Sequence, residues 1–261
     1  MNLIPVSNID TAALKIYHQL RDKVFSKEGS FIADSPKVVN ILLETDIEVK
    51  SILATQEYYD TFSHLLASKE ELVCYVANKE MMQDIVGHKI HHNCMMHGVR
   101  PSEYALDSLD NTILMLDQIT SSENIGSIAR SAAALGVNSY LVPQNGPLPY
   151  ARRSLRVSMG HISRLKVSVY DDIFITLRAL KNLGYTIFAA EVTADSIALA
   201  KIEVPEKWVL LLGHEGRGIS PEILKLCDTT VQIEMAEGVR SFNVGVAASI
   251  LMYQFKNRVC I

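Results

Sequence analysis

Asn124, Gly126 and Arg130 fall within seven positions at the start of an expected helix. An Asn at a helix start needs no explanation beyond capping. A Gly inside the first turn costs helix stability unless something must approach the backbone closely. Helical side chains lean toward the N-terminus, so the long guanidinium of Arg130 can reach back to the preceding loop. A second segment, Gly213-His214-Glu215-Gly216-Arg217-Gly218, follows a run of apolar residues and holds three glycines in six positions. Such a loop offers its backbone to a ligand. Its glycines are spaced GxxGxG rather than GxGxxG, and no Gly-Lys-Ser/Thr follows, which disfavours dinucleotide and P-loop chemistry. In a third segment Ser241 and Asn243 open the last helix as candidate caps. That helix, Asn243–Phe255, is apolar nearly all round and is expected to be buried, which brings its cap groups close to the core and the neighbouring loops.

The elements that must position these groups alternate in type along the chain. Strands are predicted at Thr112–Leu116, Ser139–Val142, Thr186–Ala190, Val209–Leu212 and Thr230–Ile233, and helices at Asn124–Leu135, Ile173–Leu183, Pro221–Cys227 and Asn243–Phe255. Continuously apolar strands alternating with helices imply a parallel sheet covered on both faces. Ligands bind such sheets at the carboxyl ends of their strands, so the loops after Leu116, Leu212 and Ile233 are the expected site. A seam of Gly, Pro and polar residues at Gly98–Asn111 divides the chain into a small α/β domain, 1–105, and a larger one, 106–261. In the first, helices are predicted at Ala12–Lys23, from Pro36 through Leu43 with Ser35 as cap, at Tyr58–Ala67 and at Lys79–Val86. Strands are predicted there at Phe31–Ala33, Val49–Ala54 and Leu72–Ala77.

Taken together, the three segments resemble the three motifs of the SpoU family, within the SPOUT class of RNA methyltransferases. Asn124, Gly126 and Arg130 match its NxGxxxR pattern, and Gly213, Glu215 and Gly218 its GxExxG pattern. Ile233, Met235, Ser241 and Asn243 match its third motif, and the resemblance runs from Asn111 to the end. It implies a SPOUT methyltransferase domain with a C-terminal trefoil knot, S-adenosyl-L-methionine as cofactor, and methyl transfer to a ribose 2′-hydroxyl of RNA. Arg130, Asn124, Glu215, Ser241 and Asn243 are then the catalytic set, while Leu212, Gly213, Ile233, Met235 and Phe242 hold the cofactor. A guanidinium stays protonated at ordinary pH, so Arg130 is read as holding a substrate phosphate and the hydroxyl together rather than as a base. A homodimer is implied as well, as is an RNA-binding role for the first hundred residues, which are similar to certain ribosomal proteins. The sequence departs from the family at Ser122 and Glu234, where Pro is usual, at Phe242, where Leu is usual, and at Leu135, where Phe is usual. Glu234 adds a carboxylate beside the expected cofactor pocket.

Net charge is −4, which argues against a protein that coats nucleic acid indiscriminately. Arg152, Arg153, Arg156, Arg164 and Lys166 form a basic run with no acid among them and are the expected RNA contacts. Arg21, Lys23 and Lys27 are a sparser candidate. The substrate that the resemblance implies is ribosomal or transfer RNA, with ribosomal RNA favoured by the extra N-terminal domain. His88, His91, His92, Cys94 and His97 crowd ten positions but fit no standard zinc spacing, and no metal is expected. Cys74, Cys94, Cys227 and Cys260 lack any CxxC pair and suit reduced thiols in the cytoplasm, where the absence of a signal-like N-terminus also places the chain. The longest apolar stretch, Val244–Phe255, is too short to span a membrane. Two rivals remain: an inactive RNA-binding or ribosome-assembly protein retaining the fold, and a methyltransferase acting on a base.

Overall fold

The structure is a computed structural model that describes residues 2–18, 29–67, 69 and 71–258. The chain forms two compact units, Met1–Ser102 with Tyr150–Ser163, and Glu103–Pro149 with Arg164–Ile261.

The first unit is built on five strands, β1 (Asn2–Pro5), β2 (Ser30–Asp34), β3 (Val49–Ala54), β4 (Val73–Val76) and β5 (Cys94–Val99), in the order β1-β4-β3-β5-β2. β4 runs parallel to β1 and β3, whereas β5 runs antiparallel to β3 and β2. Helices α1 (Lys15–His18), α2 (Pro36–Leu43), α3 (Gln56–Leu66) and α4 (Lys79–Val86) connect them. Sequence patterning locates α4 to the residue. It misses β1 and β5, which carry no clean alternation. The predicted first helix ends, within the described residues, at His18. Ser35 occupies the N-cap position of α2, but its side chain makes no capping bond. Its φ of 78° lies in a region that favours glycine, and it serves the helix through its carbonyl, which accepts from Val39 N at 2.9 Å. Thr55 and Asn78 do cap with their side chains.

The segment 150–163 belongs to this unit, although its sequence neighbours on both sides belong to the other. Its short helix, Arg152–Val157, is anchored on Asp34, which is 1% exposed. Arg152 donates to Asp34 Oδ2 through Nε at 2.7 Å, and Arg156 Nε lies 3.6 Å from Oδ1. A buried carboxylate is tolerable only with such partners. Tyr150 adds a ring contact to Phe31, 5.5 Å between centroids.

The second unit holds seven parallel strands: β6 (Thr112–Leu116), β7 (Ser139–Pro143), β8 (Lys166–Tyr170), β9 (Thr186–Ala190), β10 (Ile197–Ala198), β11 (Trp208–Leu212) and β12 (Thr229–Gln232). Their order is β10-β12-β9-β11-β6-β7-β8, so β11 fills the gap between β9 and β6. All five residues of β11 are buried, as a central parallel strand requires. Helices α5 (Ser122–Leu135), α6 (Ile173–Asn182), α7 (Pro221–Leu224) and α8 (Val244–Asn257) complete the unit. Register levels the strand ends: Leu212 pairs with both Leu116 and Ala190, and Ala190 with Val231. The loops after β6, β9, β11 and β12 therefore leave the sheet side by side, next to the point where strand order reverses.

Helix α8 is not buried all round. Gly245, Ala248, Leu251, Met252 and Phe255 face inward, but Val246 is 47% and Tyr253 62% exposed. The buried face meets α5 closely; Ser249 Oγ donates to Ser131 Oγ at 2.8 Å, and a Cβ on Gly245 would lie 2.5 Å from Ser127 Oγ. Beneath it Phe255 stacks edge-on against Trp208 and Phe188, at 5.1 and 5.0 Å between centroids. Truncating Trp208 to Ala removes the largest fully buried side chain at the hub of this packing and should cost about 3–5 kcal/mol, with Trp208→Phe costing less. Urea denaturation of the two variants checks this.

Candidate active site

The first loop enters α5 two residues earlier than expected, and this changes the role of Asn124. Ser121 is the cap: its Oγ accepts from Glu123 N at 3.2 Å and Asn124 N at 3.4 Å. With the cap position filled by Ser121, the Asn124 side chain is available for a longer reach. Its Nδ2 donates to Glu215 Oε1 at 2.9 Å, and its Oδ1 accepts from Asn243 Nδ2 at 3.2 Å. Asn243 is the cap of α8, its Oδ1 accepting from Gly245 N at 2.8 Å. One chain of hydrogen bonds thus runs from the start of α8 through the start of α5 to the glycine-rich loop.

Glu215 is the acceptor at the end of that chain. Its carboxylate also takes the backbone N–H groups of Thr120 and Ser121 and the Thr120 hydroxyl, each at 3.3 Å. Partial burial alone would raise its carboxyl, but the Asn124 amide and the backbone donors outweigh that and hold it below the usual glutamate range. Nearby, burial pushes the Asp117 carboxyl up, while the Tyr170 hydroxyl and the charges of His214 and Arg217 pull it back.

The glycine-rich loop is folded tightly on itself. His214 Nδ1 accepts from Gly216 N at 2.9 Å and Arg217 N at 3.2 Å, and Gly218 N returns to His214 O at 2.9 Å. Gly218 has φ of 66°, and a Cβ there would lie 2.0 Å from Glu191 Oε2. A Cβ on Gly213 would lie 2.6 Å from the Gly218 carbonyl carbon. Neither position admits a side chain. Arg217 Nη2 ties the loop back to Gln118 Oε1 at 3.0 Å.

Beside these loops lies a cavity of about 340 Å³. Leu212, Gly213, Ile233, Met235 and Phe242, the residues expected to hold a cofactor, all line it, as do Glu215 and Ser241. Ser241 is exposed at the wall and is not the helix cap. Asn124 and Asn243 stand outside the wall and reach it through Glu215. Arg130 is exposed on α5 and does not line the cavity. Glu234 is exposed as well, and the wall is formed instead by its neighbours Ile233 and Met235, as alternation along an extended chain demands. Sequence reasoning missed Glu191, His214, Arg217 and Arg240 in the lining. Glu191 was open to discovery, because the loop after Ala190 is also the carboxyl end of a parallel strand.

The basic run divides between the units. Arg152, Arg153 and Arg156 lie on the helix of the first unit, with Arg152 and Arg156 facing Asp34, while Arg153 is exposed. Arg164 is exposed in the second unit, and Lys166 Nζ is held by Asp110 Oδ1 at 2.6 Å and Ser108 O at 3.2 Å. Arg21, Lys23, Lys27 and Cys260 lie outside the described residues. The histidine-rich segment does not converge: His97 pairs with Ser30 Oγ at 3.0 Å, and Cys94 is buried in β5, its thiol pushed up by burial and by Asp34. Among the described residues, no group of three or more His, Cys, Asp or Glu could hold a metal ion. Nor is any helix among them long and apolar enough to cross a membrane.

Residues 111–253 match the model of the SpoU rRNA Methylase family. An uncharacterized tRNA/rRNA methyltransferase of Mycobacterium tuberculosis is 29% identical over 186 residues, covering 69% of this chain. The match covers about 65% of that protein's length. The AdoMet-bound rRNA methyltransferase of Sinorhizobium meliloti superposes with a TM-score of 0.85 over 99% of both chains, at 19% identity. A structure concerned with 2-OH methylation on tRNA is 29% identical, with a TM-score of 0.50 over 56% of this chain and 89% of that chain.

Because the Glu215 carboxyl is held low, its hydrogen bonds stabilise the folded chain fully above the ordinary glutamate range, about pH 4.3, and are lost as pH falls below it. Wild type should therefore exceed Glu215→Gln in stability at neutral pH, the difference shrinking toward pH 3. A difference that stays constant down to pH 3 contradicts this origin of the shift.

Proposed function

The chain belongs to the SpoU rRNA methylase family, and from that premise we propose that it transfers a methyl group from S-adenosyl-L-methionine to a ribose 2′-hydroxyl of RNA. The observation that carries the reading is the hydrogen-bonded chain Asn243–Asn124–Glu215, which draws the three motif loops together beside one cavity. The cavity's residues fit the cofactor. Leu212, Ile233, Val244 and Leu251 supply apolar wall for a flat ring, the Gly213–Gly218 backbone supplies close polar contact, and Glu191 supplies negative charge for a cationic ligand. Bound there, the cofactor provides an electrophilic methyl group on a sulfonium, and no metal is needed.

The chain's own part is alignment and charge. Asn124 and Asn243 fix the start of α5 against the start of α8, and so fix the helix that carries Arg130. Arg130, exposed on that helix, holds a substrate phosphate and presents the 2′-hydroxyl in line with the methyl group, the proton leaving to phosphate or water. Glu215 stays charged and acts through the network rather than as a base, since four donors already occupy it.

Ribosomal RNA is the favoured substrate over transfer RNA. The fold shared with the Sinorhizobium rRNA enzyme extends over the whole chain, whereas the likeness to the tRNA structure covers 56% of it. Residues 1–105 form an RNA-binding domain ahead of the methyltransferase domain 106–261 in this reading, with Arg152, Arg153, Arg156, Arg164 and Lys166 as RNA contacts. The protein acts as a homodimer in the cytoplasm in this reading, and its C-terminal part is knotted, both as membership of the family implies.

Transfer of labelled methyl groups to separated unmethylated ribosomal and transfer RNA tests the assignment. The label should enter ribosomal RNA and resist alkali, which a base methyl would not make the adjoining phosphodiester do. Arg130→Ala should lower turnover by about 10²-fold or more while leaving cofactor affinity within a factor of about two. Near-normal turnover in Arg130→Lys would overturn the bidentate role. No transfer and no cofactor binding would leave an RNA-binding protein that has kept the fold.

A further inference from the structure

We propose that Glu191 tells the charged methyl donor from its neutral spent form, an assignment that rests on the cofactor reading above. Glu191 opens the loop after β9 and lines the cavity. Its Oε2 accepts from Ile219 N at 2.8 Å and its Oε1 from Val192 N at 3.0 Å. Gly218 leaves the space above it open, since any Cβ there would lie 2.0 Å from Oε2. The side chain is therefore fixed in place by the backbone of two loops, and it stands against Gly218, where the glycine-rich loop has no room for a side chain.

Two carboxylates line this cavity, and they are in different states. Glu215 is taken up by the Asn124 amide, two backbone donors and the Thr120 hydroxyl. Glu191 meets two backbone N–H groups, leaving acceptor capacity on both oxygens. Of the cavity's cationic side chains, Arg217 is engaged by Gln118, and Arg240 is exposed. The negative charge of Glu191 is thus available to a cationic ligand.

Methyl transfer changes the charge that this carboxylate meets. The ribose oxygen forms a bond to the methyl carbon, the carbon–sulfur bond breaks, and its electron pair returns to sulfur, which becomes a neutral thioether while the hydroxyl proton leaves. The attraction between Glu191 and the sulfonium is then present before transfer and lost after it. The residue strengthens donor binding and weakens product binding relative to it, which favours exchange of spent cofactor.

Calorimetric titration of the full chain with S-adenosylmethionine and S-adenosylhomocysteine tests this. Glu191→Gln keeps an acceptor oxygen for Ile219 N and removes the charge. It should weaken S-adenosylmethionine about tenfold and S-adenosylhomocysteine less than about twofold, as expected for one charge pair at partial screening. Glu191→Asp, which keeps the charge, should keep the wild-type ratio of the two affinities. Equal losses for both ligands in Glu191→Gln would reduce the residue to a clamp on the loop, and an unchanged donor affinity would remove it from recognition; either overturns the inference while the cofactor reading stands. A wild-type chain that binds neither ligand overturns both.

Discussion

A carboxylate drawn partly out of water has to be supplied with donors, and the way Glu215 is supplied organises the whole site. Its oxygens take two backbone N–H groups and a hydroxyl from the loop before α5 and the Asn124 amide from within it. Because Asn124 spends its donor on Glu215, its carbonyl oxygen is left to accept from Asn243, whose own oxygen is fixed by capping α8. The orientation of each amide follows from the one before it. Such a network is strong when every member is satisfied and costly when one is removed. Three segments, the outer two 119 positions apart in sequence, thereby hold one geometry.

That arrangement is available only because the sheet delivers the loops to the same edge. Leu116, Ala190 and Leu212 lie abreast in the parallel register, with Val231 paired to Ala190. A one-residue slip of β11 would invert its side chains between the two helical layers, and all five of its residues are buried. The apolar core and the polar site are consequently fixed by the same constraint. The aromatic cluster of Trp208, Phe188 and Phe255 locks β9, β11 and α8 beneath the cavity that α8 helps to line.

Much of this was readable from the sequence wherever periodicity and local chemistry agreed. β6 and β9 fall at their predicted bounds because continuous apolar runs bounded by polar residues have no competing interpretation at that length. Helix starts were less legible. Three residues before α5 and within its first turn, Ser121, Ser122 and Asn124, are all good caps, and only the fold shows that Ser121 takes the position and sends Asn124 elsewhere. The exposed face of α8 was also hidden, since hydrophobicity alone does not say that Val246 and Tyr253 lack a neighbouring layer among the described residues. That segment 150–163 packs with the first unit was not legible for a different reason. Its docking depends on the pairing of Arg152 with Asp34, 118 positions apart, and no local pattern encodes that. Glu191 escaped notice although the loop after Ala190 is also a strand's carboxyl end, because a lone glutamate there belongs to no motif.

The claim that the three loops act as one unit is tested most directly by a double-mutant cycle between Asn124 and Glu215, read as the rate of methyl transfer to RNA. With Asn124→Ala, Glu215→Ala and the double variant compared, the structure predicts that the double variant is little worse than the worse single one, since either change breaks the same chain of hydrogen bonds. Losses that multiply, each variant acting in full on the background of the other, would mean that the two residues serve the reaction independently and that the network is not what assembles the site.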